Sequence, residues 1–142
     1  MRSVLLALVL AFTALAVRAE DGYDLWLRYK PLPEAQAREY RAAASQLVLD
    51  AGTALRASAL AELQRGLAGL LGRAPPVQQR ATRTGAIIAG TVASPQIRQL
   101  GLDTGSLGSE GYLIRSMRVD GRAATVIAAN DDAGVLYGAF HL

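Results

Sequence analysis

The chain has 142 residues and no cysteine, which is room for one domain of ordinary size. The missing cysteine excludes a disulfide framework, a thiolate zinc site and a thiol nucleophile. Part of the formal charge of +3 resides in Arg2 and Arg18; without these two, 13 basic residues face 12 acidic ones, a balance that points to no nucleic-acid or anionic-membrane partner.

Residues 1–19, MRSVLLALVLAFTALAVRA, carry a basic start at Arg2, an apolar run from Val4 to Val17, and small residues around a cleavage point after Ala19. This is the pattern of a secretory signal peptide, too short for a comfortable membrane span. It predicts export to the periplasm or the medium, with no stable membrane insertion once the leader is cleaved. Residues 20–142 then form a single α/β domain.

Leu25 to Tyr29, LWLRY, reads as a first strand closed by Pro31 and Pro33. Glu34 to Ala44 is good helix-forming sequence, weakly amphipathic, expected on the surface. Gln46 to Ala51 reads as a second strand. Thr53 is placed to N-cap a helix reaching Leu71, with leucines 60, 63, 67, 70 and 71 at helical spacing. Gly72 suits its C′ position, and Pro75-Pro76 prevent continuation. Gly66 and Gly69 inside this helix are expected to let it lie close on a sheet.

Arg80 to Arg83 reads as loop or strand edge, and Gly85 to Thr91 as a buried strand. Ser94-Pro95 starts a short helix with Ile97 and Leu100 on its apolar side. Leu102 to Ser109 reads as a flexible loop. Tyr112 to Val119 alternates, Asp120-Gly121 is a type I′ hairpin signal, and Ala123 to Ala129 returns as a strand covered on both faces. Asn130, Asp131 and Asp132 supply short acceptors to cap a last helix, whose apolar side is Val135, Leu136, Ala139 and Phe140. No Gly, Asn or Pro closes that helix before Leu142, so it is expected to continue beyond this chain. A crossover through the long helix requires at least one parallel pair, and the hairpin supplies an antiparallel one. The fold class is therefore α+β, an α/β two-layer arrangement with a mixed sheet of four to five strands and helices packed against it.

No constellation for catalysis emerges. Asp131 and Asp132 are adjacent, and neighbouring side chains on a helix do not converge on one substrate atom. His141 is the one histidine, and no metal-ligand spacing surrounds it. A GxSxG elbow, a GxGxxG loop and a P-loop lysine are all missing, and the arginines form no basic stripe. No cofactor, metal or nucleic acid is expected. Trp26 and Tyr29 could stack on sugar rings or pack in an interface. Gly134 and Gly138, one helical turn apart, would admit another backbone closely.

Several segments resemble one known family. EDGYDLWLRY (Glu20 to Tyr29) is similar to the opening of mature α-glucuronidases of glycoside hydrolase family 67, and NDDAGVLYGAFHL (Asn130 to Leu142) to the segment closing their N-terminal domain. ALAELQRGLAGLLGR (Ala59 to Arg73) and GSEGYLIRSM (Gly108 to Met117) fit the same pattern in order. The resemblance implies an N-terminal α/β domain followed by a (β/α)₈ barrel and a helical region. It implies removal of glucuronic acid or its 4-O-methyl ether from xylose in glucuronoxylan-derived oligosaccharides, with inversion at an α-1,2 bond. It implies that the carboxylates for inversion lie in the barrel, expected downstream of this chain, so no catalytic residue is carried over. The segments that match imply only contact with the barrel or with sugar, by Trp26, Arg28, Tyr29, Asn130, Asp131 and Tyr137. Two alternatives stand beside this reading: a carbohydrate-binding module with Trp26 and Tyr29 as platform, and the accessory domain of another secreted glycosidase such as a β-hexosaminidase.

Overall fold

A computed structural model describes residues 29–142. The leader expected over residues 1–19, Trp26, Arg28 and all but the last residue of the strand expected over Leu25–Tyr29 lie outside the described residues. Helix α1 (Glu34–Ala43) is a surface helix that buries only Ala37. Glu34 in its first turn and Arg41 in its last complement the helix dipole. Strand β1 (Gln46–Val48) follows, shorter than expected and buried throughout. Helix α2 spans Ala54–Leu71, where its signals place it. Thr53 Oγ1 accepts a hydrogen bond from the Arg56 amide, and Gly72 takes a left-handed φ of 76°, which a side chain would resist.

Strand β2 (Val77–Gln78) has no counterpart among the expected elements. Strand β3 (Ala86–Thr91) is wholly buried, and helix α3 (Pro95–Arg98) caps it with Ile97. Strands β4 (Tyr112–Val119) and β5 (Arg122–Ala129) form the hairpin, with Asp120 at φ 48° and Gly121 at φ 76°, both positive as the turn demands. Helix α4 (Asp132–His141) ends the described chain.

The five strands form one mixed sheet in the order β2-β1-β3-β5-β4. All neighbours are parallel except β4 and β5. Alternation along the strands divides the core in two. Leu47, Ile87, Ala89, Ile127 and Ala129 face α2 and α4, meeting Ala59, Leu63, Val135 and Ala139. Val48, Ile88, Val126 and Ala128 face the other way, towards Ile97, Leu100 and Leu102. The small and branched residues of β3 and β5 thus suit strands covered on both faces. Among the described residues no helix is long and apolar enough to cross a membrane.

Two glycine pairs show how the helices are seated. A Cβ at Gly69 would fall 2.5 Å from the Tyr29 Cβ, and one at Gly66 3.0 Å from the Tyr29 ring. Those glycines therefore clear a seat for Tyr29, and not for the sheet as expected. The Leu32 amide donates to the Leu70 carbonyl at 3.0 Å, so the incoming chain runs along α2. In α4 a Cβ at Gly134 would sit 2.4 Å from the Gly111 carbonyl oxygen, a true backbone approach. At Gly138 the obstacle would be a side chain, Ile127 Cγ2 at 2.4 Å. The buried side of α4 is accordingly Gly134, Val135, Gly138 and Ala139, and Phe140 turns outward.

Candidate functional site

The parallel strands β1, β3 and β5 all run in one direction, so their carboxyl ends share one edge of the sheet. Edges of this kind are where open α/β sheets bind ligands, because loops and helix starts diverge there. Two features occupy this edge.

The first is an ion-pair corner. Arg56, on the first turn of α2, reaches Asp50 Oδ2 with Nη1 at 3.0 Å and Asp132 Oδ1 with Nε at 3.2 Å. Thr53 donates its hydroxyl to Asp132 Oδ2 at 2.6 Å, and the Gly52 amide donates to Asp50 Oδ1 at 3.0 Å. One guanidinium thus joins the loop after β1 to the start of α4. Asp132 is engaged across the fold and not in capping its own helix. Asp131 holds the N-cap position of α4 without a side-chain hydrogen bond, and its side chain is exposed. Asn130 does something else again. Its amide donates to the carbonyls of Thr104 (3.0 Å) and Gly108 (3.1 Å), tying down the loop between α3 and β4. The three residues expected to cap α4 have three different tasks, because each backbone direction at the strand end aims the next side chain elsewhere.

The second feature is a cleft of about 770 Å³ between the ends of β1 and β2 on one side and α3 on the other. Gln78, Gln79 and Arg80 line one wall; Gln96 and Gln99 line the other, and Asp50 with Arg56 closes one end. The β2 wall is positioned by a buried amide. Gln46, 1% exposed, donates from Nε2 to the Arg80 carbonyl at 3.2 Å and accepts from the Thr82 hydroxyl at 3.0 Å. Satisfying both ends of a buried amide fixes the segment that carries it.

Elsewhere, α4 leaves Tyr137, Phe140 and Leu142 exposed. His141 is exposed and lies edge-on to Tyr112, with ring centroids 5.5 Å apart and Nδ1 2.5 Å from the phenol oxygen. Tyr29 is seated on α2, where burial first, and then the nearby Glu62 carboxylate, push its phenol above the usual range. Among the described residues no three of His, Asp and Glu gather as metal ligands.

Of the residues singled out from sequence, Asn130, Asp131 and Asp132 therefore lie at one sheet edge, Tyr137 on the outer side of α4, and Tyr29 on the far helix. The structure does not bring these into one constellation. Sequence reasoning missed Asp50, Arg56 and the cleft glutamines. The signals for the corner were Thr53 and Asp132, both read as helix caps, which locate the edge but not their partners. Neutral amides from segments far apart in sequence leave no motif at all.

The sequence pattern described as the glycosyl hydrolase family 67 N-terminus matches residues 25–142. The chain belongs to this family, and what is matched is the family's N-terminal part. Among similar proteins are two called probable alpha-glucuronidase A, from Aspergillus oryzae (strain ATCC 42149 / RIB 40) and from Aspergillus flavus (strain ATCC 200026). Each is 30% identical to this chain over 128 residues, covering 86% of the chain and 14% of the relative. The chain thus spans about a seventh of their length.

Proposed function

We propose that this chain is the N-terminal, non-catalytic domain of an exported α-glucuronidase. The whole enzyme would hydrolyse the α-1,2 bond between glucuronic acid, or its 4-O-methyl ether, and xylose in xylo-oligosaccharides. Residues 1–19 would be the leader and residues 20–142 the domain. The observation that carries the reading is the family match over residues 25–142 together with the relatives' length, which leaves room for a catalytic unit downstream. The geometry supports it. An inverting glycosidase sets one carboxylic acid and one carboxylate on either side of the scissile bond, with space for a water. Here Asp50 and Asp132 are both bound to the same guanidinium, an arrangement suited to holding loops together. The exposed side of α4, with Asp131, Tyr137 and Phe140, is the surface this reading assigns to contact with the catalytic unit.

The test is release of glucuronic acid from xylo-oligosaccharides that carry it. The whole polypeptide encoded with this domain should release it, and the present chain alone should not. Hydrolysis by this chain alone would overturn the non-catalytic assignment; no hydrolysis by the whole polypeptide would overturn the activity. Amino-terminal sequencing of the exported protein should begin at Glu20.

A further inference from the structure

We infer that the cleft between β2 and α3 is a carbohydrate subsite for an acidic oligosaccharide, with the ligand carboxylate on Arg80 and its hydroxyls on the glutamine amides. The inference takes its ligand class in part from the proposed function, and its location from the structure alone.

The cleft has the volume of a small-molecule site, where pockets run to a few hundred cubic ångströms or more. It lies at the carboxyl ends of parallel strands, outside the sheet. Its chemistry is the more specific argument. Gln78, Gln79, Gln96 and Gln99 line it from two walls, and none of their side-chain amides makes a hydrogen bond among the described residues. A primary amide offers donors and an acceptor together, matching a sugar hydroxyl, which is itself both. Four residues carrying such groups along one cleft suit a ligand rich in hydroxyls better than an apolar one.

Charge decides between neutral and acidic ligands. Of the two arginines lining the cleft, Arg56 is neutralised by Asp50 and Asp132. Arg80 has no carboxylate partner among the described residues, and its side chain is exposed. Its guanidinium forms a fork for a carboxylate. The wall that carries it is held by Gln46 through the Arg80 carbonyl, which leaves the side chain available while the backbone stays in place. Tyr29, the one aromatic considered for stacking that lies among the described residues, is seated on α2, away from this cleft.

The experiment is a titration of the isotope-labelled chain, following side-chain amide and guanidinium resonances by NMR. The ligands are D-glucuronate, a xylo-oligosaccharide bearing glucuronic acid, and the same oligosaccharide without it. The two acidic ligands should shift the Gln78, Gln79, Gln96 and Gln99 amides and the Arg80 Nε resonance, saturably. Arg80→Ala should weaken the glucuronic-acid-bearing ligand about tenfold, the loss of one charge-assisted pair. Gln96→Ala should weaken it less, and Arg115→Ala, on exposed β4, should leave it unchanged. Equal shifts from the neutral oligosaccharide would overturn the acidic class. An unchanged affinity in Arg80→Ala, or shifts that fall outside the cleft, would overturn the site, as would no shift from any of the three. Binding here is measured without hydrolysis, so it stands or falls separately from the activity of the whole polypeptide.

Discussion

The two edges of the sheet are built on different principles. At one edge β4 and β5 pair along their full eight-residue lengths, closed by a turn whose two residues both take positive φ. At the other, β2 contributes two exposed residues, paired to β1 at Leu47↔Val77 and Val48↔Gln78. The hairpin edge is secured by a long ladder and by α4 pressed onto it through Gly134 and Gly138. The β2 edge has only two paired residues, and the segment that follows it is held by side chains, the buried Gln46 amide on Arg80 and Thr82 and the Ser45 hydroxyl on the Thr84 carbonyl. A ladder resists displacement everywhere along its length. A few point contacts fix a position while leaving the neighbouring side chains free for other contacts. It is at this second edge that the cleft opens.

Substitutions should separate the two regimes. The largest effect is expected from Ile127→Ala, in strand β5, which is paired on both sides, and fully buried. Removing those methylenes beneath Gly138 should cost about 3–4 kcal/mol in urea unfolding. Gly134→Ala should follow at about 2–3 kcal/mol, since the new methyl meets the Gly111 carbonyl and backbone cannot swing away. Gln46→Ala should cost about 1–2 kcal/mol by stranding the Arg80 carbonyl and the Thr82 hydroxyl. Its signature is locality: amide exchange should accelerate across residues 77–84 and not in the hairpin. Uniform acceleration would mean that the β2 edge is no more independent than the other.

The smallest effect belongs to Glu34, fully exposed on α1. The Arg41 guanidinium, 2.7 Å away, holds its carboxyl below the ordinary 4.5. A carboxyl lowered in the folded state stabilises above its ordinary value, and that contribution is lost as pH falls through the folded value. The difference between the natural chain and Glu34→Gln should therefore be small at neutral pH and vanish in acid. Arg41 keeps its other bond, from Nε to the Leu71 carbonyl at 2.8 Å, so the end of α2 should be unaffected.

The contrast between edges also explains what could be read in the sequence. Asp120-Gly121, Thr53 and Gly72 act through their own backbone angles or nearest neighbours, so the hairpin and the bounds of α2 were legible. Strand β2 was not, because Val77-Gln78 is too short to alternate and follows two prolines. Gly66 and Gly69 announced a close contact but not its partner, which comes from Tyr29, far along the chain. The triplet Asn130-Asp131-Asp132 announced a helix start. Its side chains were decided by the Thr104 and Gly108 carbonyls and by Arg56, none of which is near in sequence. The cleft was illegible for the same reason, its glutamines and its charged residues being brought together only by the order of the strands.

That strand order has a consequence for how the domain is made. Strand β5 lies between β3 and β4, yet it is the last strand to be synthesised. Until Arg122–Ala129 has emerged, the Ala86–Thr91 strand has no neighbour on one side and leaves its amides and carbonyls open to other chains. The hairpin can close quickly on itself, but the parallel join from Ala86 to Ala124 must wait for most of the domain to exist. A nascent chain of this kind would need shielding during its last stretch of synthesis, and shortening it by even the hairpin would leave a half-sheet with an adhesive centre.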